Sequence, residues 1–458
     1  MMLLSQAGQA LGARMAGADV PFTSVSTDSR KIEPGCLFVA LRGENFDGAA
    51  FVVNAARDGA VAALINADSY DGTAPCPLLL VEDTRLALGR LAAYWRTQFD
   101  IPVIGLTGSN GKTTVKEMLA SILREAAGSA DAVLATQGNL NNDIGMPLTL
   151  LRLNDAHRFA VIEMGMNHAG EIDYLTRIAR PDVAVVNNAS GAHLAGLGSV
   201  GAVARAKGEI FDGLSDGGTA VINADDAYAS LWRTLAAGHA VLDFGLNDNP
   251  AIRGEWQRCE FGSRLAVKTP GGEFAAGLRV PGEHNVRNAL AATAAAVALH
   301  VPLANIARGL EKFEGVAGRL QRKRGLNGAA LIDDTYNANP ASMRAAISVL
   351  AAAPGKRLFV MGDMGEMGTE AAHFHAEIGE YAKRSGIDRL LAMGELSREA
   401  ARAFGSGAQH FDNVEALSAA VGAEMTAGVT VLVKGSRFMK MEQVVARCIE
   451  GEETCCSH

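Results

Sequence analysis

Short apolar runs recur along the chain. Each is closed by a glycine, asparagine or aspartate, and many lead into stretches where apolar residues return every third or fourth position. Leu37–Leu41, Val61–Ile65 and Leu78–Val81 are predicted strands, with helices over Ala49–Asp58 and Thr84–Thr97. Further strands are predicted at Ile101–Leu106, Val133–Thr136, Phe159–Met164, Val183–Asn187, Ala220–Asn223 and Ala240–Phe244, with a helix over Val115–Glu125. Residues 251–283 alternate short runs with glycines, as an antiparallel insertion does. Ala289–Leu299 is apolar nearly all round, which predicts a buried helix beginning near His284. In the last stretch, Leu331–Asp334, Arg357–Met361, Arg389–Met393 and Val429–Lys434 alternate with helices over Ser342–Ala352, Thr369–Lys383, Leu396–Phe404, Val414–Val421 and Phe438–Ile449. The pattern predicts an α/β protein of three units, 1–97, 98–312 and 313–458. The first is small. The second is a mostly parallel sheet covered by helices. The third is an open, doubly wound sheet without a GxGxxG loop. Each join between units reads as a hinge.

A length of 458 residues suits several domains, and 48% hydrophobic with 20% charged residues suits a soluble globular chain. The net charge of -8 gives no support to a nucleic-acid partner. No apolar stretch is long enough for membrane insertion, and no signal peptide is evident. Cys36, Cys76, Cys259, Cys448, Cys455 and Cys456 show no metal-ligand spacing, so a reduced, cytoplasmic setting is expected.

Chemistry concentrates after the Ile101–Leu106 run. Gly108-Ser109-Asn110-Gly111-Lys112-Thr113-Thr114 joins that strand to the next helix. Backbone N–H groups at the helix start suit phosphates, Lys112 adds a point charge, and the Thr113 hydroxyl can reach Mg2+. The loop is a short TGxxGKTT form, with Leu106 where the generic loop has its first glycine. An ordinary strand-to-helix turn is the bland alternative. No guanine-reading NKxD follows, which favours ATP. Parallel sheets bind ligands beyond the carboxyl ends of their strands, where Gly138–Asn142, Glu163 and Asn187-Asn188 fall. Glu163 can take a metal near the phosphates. His193 alone reads either as a structural histidine or as a further metal ligand. Lys207 lies among Ala204, Ala206, Gly208 and Ile210, which implies partial burial. Asp28-Ser29-Arg30 is either a simple turn or a small-molecule contact. His168, His373 and His375 read as helix or loop surface, and Met361, Met364 and Met367 as packing within a loop.

TGSNGKTT at 107–114, Glu163 in EMG, His193, Lys207 in AKGEI, His284-Asn285 and Gly318-Arg319 stand in an order that resembles the Mur ligase family, ATP-dependent amide-forming enzymes of bacterial cell-wall synthesis. The resemblance spans essentially the whole chain. GNLNNDIGMP (138–147), DDTYNANP (333–340), GDMGEMG (362–368) and VKGSRFMKME (433–442) resemble the member that adds D-alanyl-D-alanine. The DNPR loop of the member that adds meso-diaminopimelate is absent, and folylpolyglutamate synthase would lack the first unit and the YNANP loop.

The resemblance implies a uridine-binding first domain, a central ATPase-like domain and a Rossmann-like third domain. It implies that UDP-N-acetylmuramoyl-tripeptide is activated by ATP as an acyl phosphate and then attacked by D-alanyl-D-alanine, in a cytoplasmic monomer. Lys112, Glu163, His193, Lys207 and Arg319 are then the catalytic set. Thr113, Glu163, His193 and a carbamylated Lys207 hold Mg2+. Asn285 and Asn288 face adenine, Arg319 reaches the γ-phosphate, and Asp333 binds ribose. Ser29 and Arg30 belong to the uridine end. Asn139 and Asn142 sit by the peptide or the phosphates, Tyr336, Asn337 and Asn339 are adenosine or substrate-cleft residues, and Lys434 and Arg437 meet the dipeptide carboxylate.

Overall fold

The computed structural model describes residues 1–43, 46–191, 197–247 and 249–450. Helix α1 (Leu4–Leu11) buries Leu4, Ala7, Gly8 and Leu11, a single apolar face at helical spacing. The first sheet contains β1 (Arg14–Ala16), β2 (Ser24–Ser26), β3 (Cys36–Val39), β4 (Ala62–Asn66) and β5 (Leu78–Val81), in the order β1-β5-β4-β3-β2. Only β1 runs antiparallel to its neighbour. The helix expected over Ala49–Asp58 is a 3-10 turn, Gly48–Phe51, followed by α2 (Val52–Arg57). Helix α3 (Thr84–Arg96) starts on Asp83, whose carboxylate accepts the Arg85 and Leu86 N–H groups.

The central sheet is built on β6 (Val103–Thr107), buried on both faces, and on α4 (Lys112–Ala127). The chain continues through β7 (Val133–Ala135), α5 (Gly145–Leu150), β8 (Phe159–Glu163), α6 (Glu171–Ala179), β9 (Val183–Val186), α7 (Val200–Gly208), β10 (Thr219–Asn223) and β11 (Ala240–Gly245). The insertion forms β12 (Ile252–Cys259), β13 (Gly262–Thr269) and β14 (Gly272–Leu278). It extends the same sheet, giving the order β14-β13-β12-β11-β10-β9-β6-β8-β7. The connection from β6 leaves towards β7, whereas β9 lies on the other side of β6. A crevice therefore opens beyond their carboxyl ends. Helix α8 (Glu283–Ala298) is buried along most of its length, as its alanine run predicts. It is followed by α9 (Leu303–Lys312), whose Gly309 lies so close to α4 that a side chain there would collide with the Ile122 backbone.

The third sheet has the order β15-β16-β20-β17-β18-β19. Its strands are β15 (Gln321–Arg324), β16 (Ala330–Asp334), β17 (Lys356–Gly362), β18 (Arg389–Met393), β19 (Ala408–Phe411) and β20 (Val429–Lys434). Helices α10 (Pro340–Ala351), α11 (Ala371–Arg384), α12 (Ser397–Phe404), α13 (Val414–Glu424) and α14 (Glu442–Cys448) cover it. The final helix is shorter than expected because Arg437–Met439 is a 3-10 turn and Lys440 adopts φ 51°. Met361 lies in β17 rather than a loop, and Met361, Met364 and Met367 all pack into the third core.

The expectation of a hinge at each join fails at the first. Leu4, Leu88 and Leu91 share one continuous core with Leu150, Leu175 and Ile178 of the central unit. Trp95 Nε1 donates to the Leu153 carbonyl at 3.1 Å, and an ion pair joins Arg85 to Asp143. Gly89 is glycine because the Tyr174 hydroxyl occupies the space of a side chain. The third sheet has its own cores, and its links to the central unit include polar bridges at the crevice.

Candidate active site

The loops after β6 and β9 lock together. The Ser109 N–H donates to the Asn188 carbonyl at 3.0 Å, and the Asn110 N–H to Asn188 Oδ1 at 2.9 Å. Gly111 sits at φ 78° at the start of α4; a side chain there would collide with Asn288 Oδ1 and lie 2.7 Å from Asn187 Nδ2. That crowding keeps the α4 backbone open to an anion. Gly111→Ala is accordingly expected to weaken nucleotide binding by about 100-fold or more, since it shifts the whole loop. Titration with a fluorescent ATP analogue checks this.

Lys112 Nζ donates to the Gly108 carbonyl at 2.8 Å. Burial pushes its pKa down, Glu163 pulls it up, and Arg319 lowers it further. Thr113 Oγ1 donates to Glu163 Oε2 at 3.0 Å. Asn141 Nδ2 donates to Glu163 Oε1 at 2.8 Å. Asn139 and Asn142 are the residues of this stretch expected beside the substrates. Both line the cleft, but it is Asn141 that orients the glutamate. Asn142 Oδ1 instead accepts the Gly145 N–H.

Lys207, on the last turn of α7, is buried rather than partly buried. Burial lowers its pKa well below the ordinary lysine value, and the Lys112 charge adds to the shift. His193 lies outside the described residues. Among the described residues, no group of three or more His, Cys, Asp or Glu side chains converges as a metal cage. Beside the phosphate loop, the Thr113 hydroxyl and the Glu163 carboxylate face the cleft, oxygens suited to a hard cation. Among the described residues, Thr107 Oγ1, Asn187 Oδ1 and Arg319 Nε are buried beside the loop without a hydrogen-bond partner, as expected where a ligand or its waters supply the missing bonds. The residues present therefore fit Mg2+ held jointly with phosphate oxygens.

The third unit completes the site. Arg319 Nη2 donates to Thr113 Oγ1 at 2.9 Å, and the guanidinium lies 4.1 Å from the Tyr336 ring centroid. Asn339 Nδ2 donates to Asn110 Oδ1 at 2.8 Å. Along α8, Asn288 Nδ2 donates to Asn285 Oδ1, and Asn288 Oδ1 accepts from Asn187, so a chain of amides runs back to the phosphate loop. His284, at the same helix start, is pushed down to about 4 by burial and by Lys434 and Arg287, so it is neutral at pH 7. These groups border one cleft of about 930 Å3, as do Ser109, Thr114, Asn337 and Arg437.

Several expected residues stand elsewhere. Asp333 is turned from the cleft: Thr335 donates to it, and Lys323 Nζ lies 3.0 Å away. The neighbouring Asp334 carries the cleft carboxylate, which burial pushes up and Lys434 pulls back. Lys434 Nζ is 2.7 Å from Asp334 Oδ2 and donates to the Asn337 carbonyl, so its charge is committed within the protein. Arg437 remains at the cleft mouth, mostly exposed, with Glu442 at 3.5 Å. Ser29 and Arg30 follow β2 at the carboxyl edge of the first sheet and do not border the cleft. The Arg30 side chain is 85% exposed and pairs with Asp28, whose carboxyl it holds down at about 2.

Fold and cleft together define a nucleotide-using enzyme in which a third domain presents an arginine to the phosphate loop of a second. Comparison with known proteins narrows the class. The family model for the Mur ligase middle domain matches residues 106–296, that for the Mur ligase glutamate ligase domain 318–437, and that for the Mur ligase family catalytic domain 21–96. The UDP-N-acetylmuramoyl-tripeptide--D-alanyl-D-alanine ligase of Escherichia coli (strain K12) is 44% identical over 457 residues, covering 99% of each chain. A crystal structure of MurF from Acinetobacter baumannii superposes with a TM-score of 0.89 at 37% identity, covering 96% of this chain and 97% of that one. The MurF ligase from Thermotoga maritima, solved in complex with ADP, gives 0.82 at 28% identity over 93% of this chain and 96% of that one. The chain belongs to the Mur ligase family.

Proposed function

We propose that the protein joins D-alanyl-D-alanine to UDP-N-acetylmuramoyl-tripeptide, with cleavage of ATP to ADP and phosphate. The observation that carries this reading is the bridge from Arg319 of the third unit through Thr113 to Glu163, at 2.9 and 3.0 Å, which adds a guanidinium to the phosphate loop that already carries Lys112. The names of the similar ligases supply the substrate pair.

The reaction brings a carboxylate against a γ-phosphate, two anions that repel. Lys112 and the α4 N-terminus hold the phosphates, and Arg319 offsets the charge that develops as the carboxylate attacks phosphorus and ADP departs. The amine of D-alanyl-D-alanine then attacks the acyl carbon, and phosphate leaves from the tetrahedral adduct. The proton that the amine loses in this attack can leave on the departing phosphate. Mg2+ bound by Thr113, Glu163, His193 and a modified Lys207 would supply charge neutralisation at the phosphate oxygens. Burial lowers the pKa of the Lys207 amine well below the ordinary lysine value, with the Lys112 charge adding to the shift, which favours the free amine. The free amine can add to CO2, giving a carbamate anion and one proton. Asn285, Asn288 and Tyr336 contact adenosine, with Asp334 rather than Asp333 offered to the ribose. Ser29 and Arg30, on the edge of the first sheet, take the uridine end. Asn139, Asn142, Asn337 and Asn339 guide the peptide, and Arg437 meets the dipeptide carboxylate. No helix among the described residues is long and apolar enough to cross a membrane, and the reading places a monomer in the cytoplasm.

The test supplies ATP, Mg2+, D-alanyl-D-alanine and the UDP-linked tripeptide, with either meso-diaminopimelate or L-lysine in third place. Phosphate release that requires both substrates, with a product heavier by one dipeptide minus water, is expected. Turnover only with the UDP-linked dipeptide and a diamino acid would overturn the assignment.

A further inference from the structure

The expectation that His375 lies on a surface is wrong: the structure buries it completely in the first turns of α11. Both ring nitrogens are engaged. Nδ1 lies 2.6 Å from the Ala371 carbonyl oxygen, which can only accept, so the ring proton is on Nδ1. Nε2 is then bare and accepts the Met364 N–H at 2.9 Å. Burial lowers the pKa of the ring, and an imidazolium would direct a second N–H at the Met364 N–H.

Met364 belongs to the loop between β17 and α11, which is pinned on two other sides. The Asp363 carboxylate accepts the Ser397 N–H at 2.7 Å, and the Gly365 N–H donates to Ser436 Oγ at 2.8 Å. Gly365, Glu366 and Met367 then form a rim of the active-site cleft beside Arg437. Glu366 holds φ 62°, a conformation a non-glycine residue keeps only where its neighbours fix it. No residue assigned to the nucleotide lies on this loop. We propose that His375 is a positioning residue for the amine substrate: by accepting the Met364 N–H it fixes the rim against which D-alanyl-D-alanine lies. The inference rests on the function proposed above and adds to it a residue that touches no substrate.

Two substitutions separate the halves of the ring. His375→Asn keeps a donor for Ala371 but cannot reach Met364, whereas His375→Gln restores an acceptor near the Nε2 position. With each substrate varied in turn, His375→Asn should raise KM for D-alanyl-D-alanine at least about tenfold and leave KM for ATP and for the UDP-linked tripeptide within about twofold. His375→Gln should recover most of the loss. Amide hydrogen exchange at 364–367 should quicken in the asparagine variant alone. If the asparagine variant does not fold, His375→Phe fills the space, lacks the same acceptor and is read in the same way. An unchanged dipeptide KM, a joint rise in all three KM values, or a glutamine variant no better than asparagine would overturn the assignment. Wild-type protein that cannot join D-alanyl-D-alanine at all would instead overturn the proposed function.

Discussion

Lys112→Met should lower kcat by about a thousandfold or more while leaving the melting temperature unchanged or slightly raised. The two halves of that expectation have one cause. Lys112 is half-buried near Arg319, and desolvation and that second cation push its pKa down, so the free protein holds its charge at a cost. Methionine keeps the length of the side chain and removes that cost. Triphosphate arriving at the loop reverses the balance, because the ammonium then faces phosphate oxygens whose charge grows towards ADP. The loss should therefore appear in turnover and not in folding. Phosphate-release kinetics and a thermal melt, run on the same preparation, check both. A variant that melts well below wild type would mean that Lys112 holds the loop mainly through its bond to the Gly108 carbonyl.

Lys207→Ala should cost about a hundredfold or more in kcat, and millimolar formate or acetate should restore part of it. The small carboxylate would enter the space vacated by the side chain and supply the anion that the proposed Lys207 carbamate would supply. In wild type, 13C-bicarbonate should give a carbamate resonance that the alanine variant lacks. Full activity in CO2-free buffer, without that resonance, would leave Lys207 an unmodified lysine with no part in metal binding. A pH signature follows. In the carbamate-free protein the folded pKa of Lys207 lies well below its unfolded value. Between the two, the unfolded chain binds more protons, so stability rises with pH through that window. Lys207→Met should flatten the slope in denaturant titrations at successive pH values.

The sequence displayed some of this site clearly and hid the rest for definite reasons. The strand, glycine loop and helix from Val103 to Ala127 are consecutive, and their chemistry is local. The alanine-rich α8 was equally legible, since a helix apolar on every side has nowhere to lie but inside. Choices between adjacent like residues were not legible. Successive residues of β16 face opposite ways, and only its pairing with β15 and β20 decides that Asp334, not Asp333, meets the cleft. Among the asparagines at 139–142, a local turn selects Asn141 for Glu163. β15 escaped notice because its QRKR sequence has no apolar alternation; charge suits a sheet edge. The burial of His375 depends on Met364, eleven residues away and across a loop. α1 is a different case: Leu4, Ala7, Gly8 and Leu11 already carried helical spacing in the sequence.

The core shared by the first two units makes them a ruler. With Leu88 and Leu91 packed among the same side chains as Leu150 and Leu175, the distance from the edge of the first sheet to the phosphate loop is set by the fold rather than by the ligand. On the proposed function, a precursor anchored by its uridine is measured against that length. Each residue of an extended peptide spans about 3.3–3.6 Å. A precursor one residue short would thus hold its carboxylate one step away from the γ-phosphate, and one a residue too long would overrun it. Selection for a tripeptide would then need no side-chain recognition at every position, and the third unit would be left free to close only on chains of the right length.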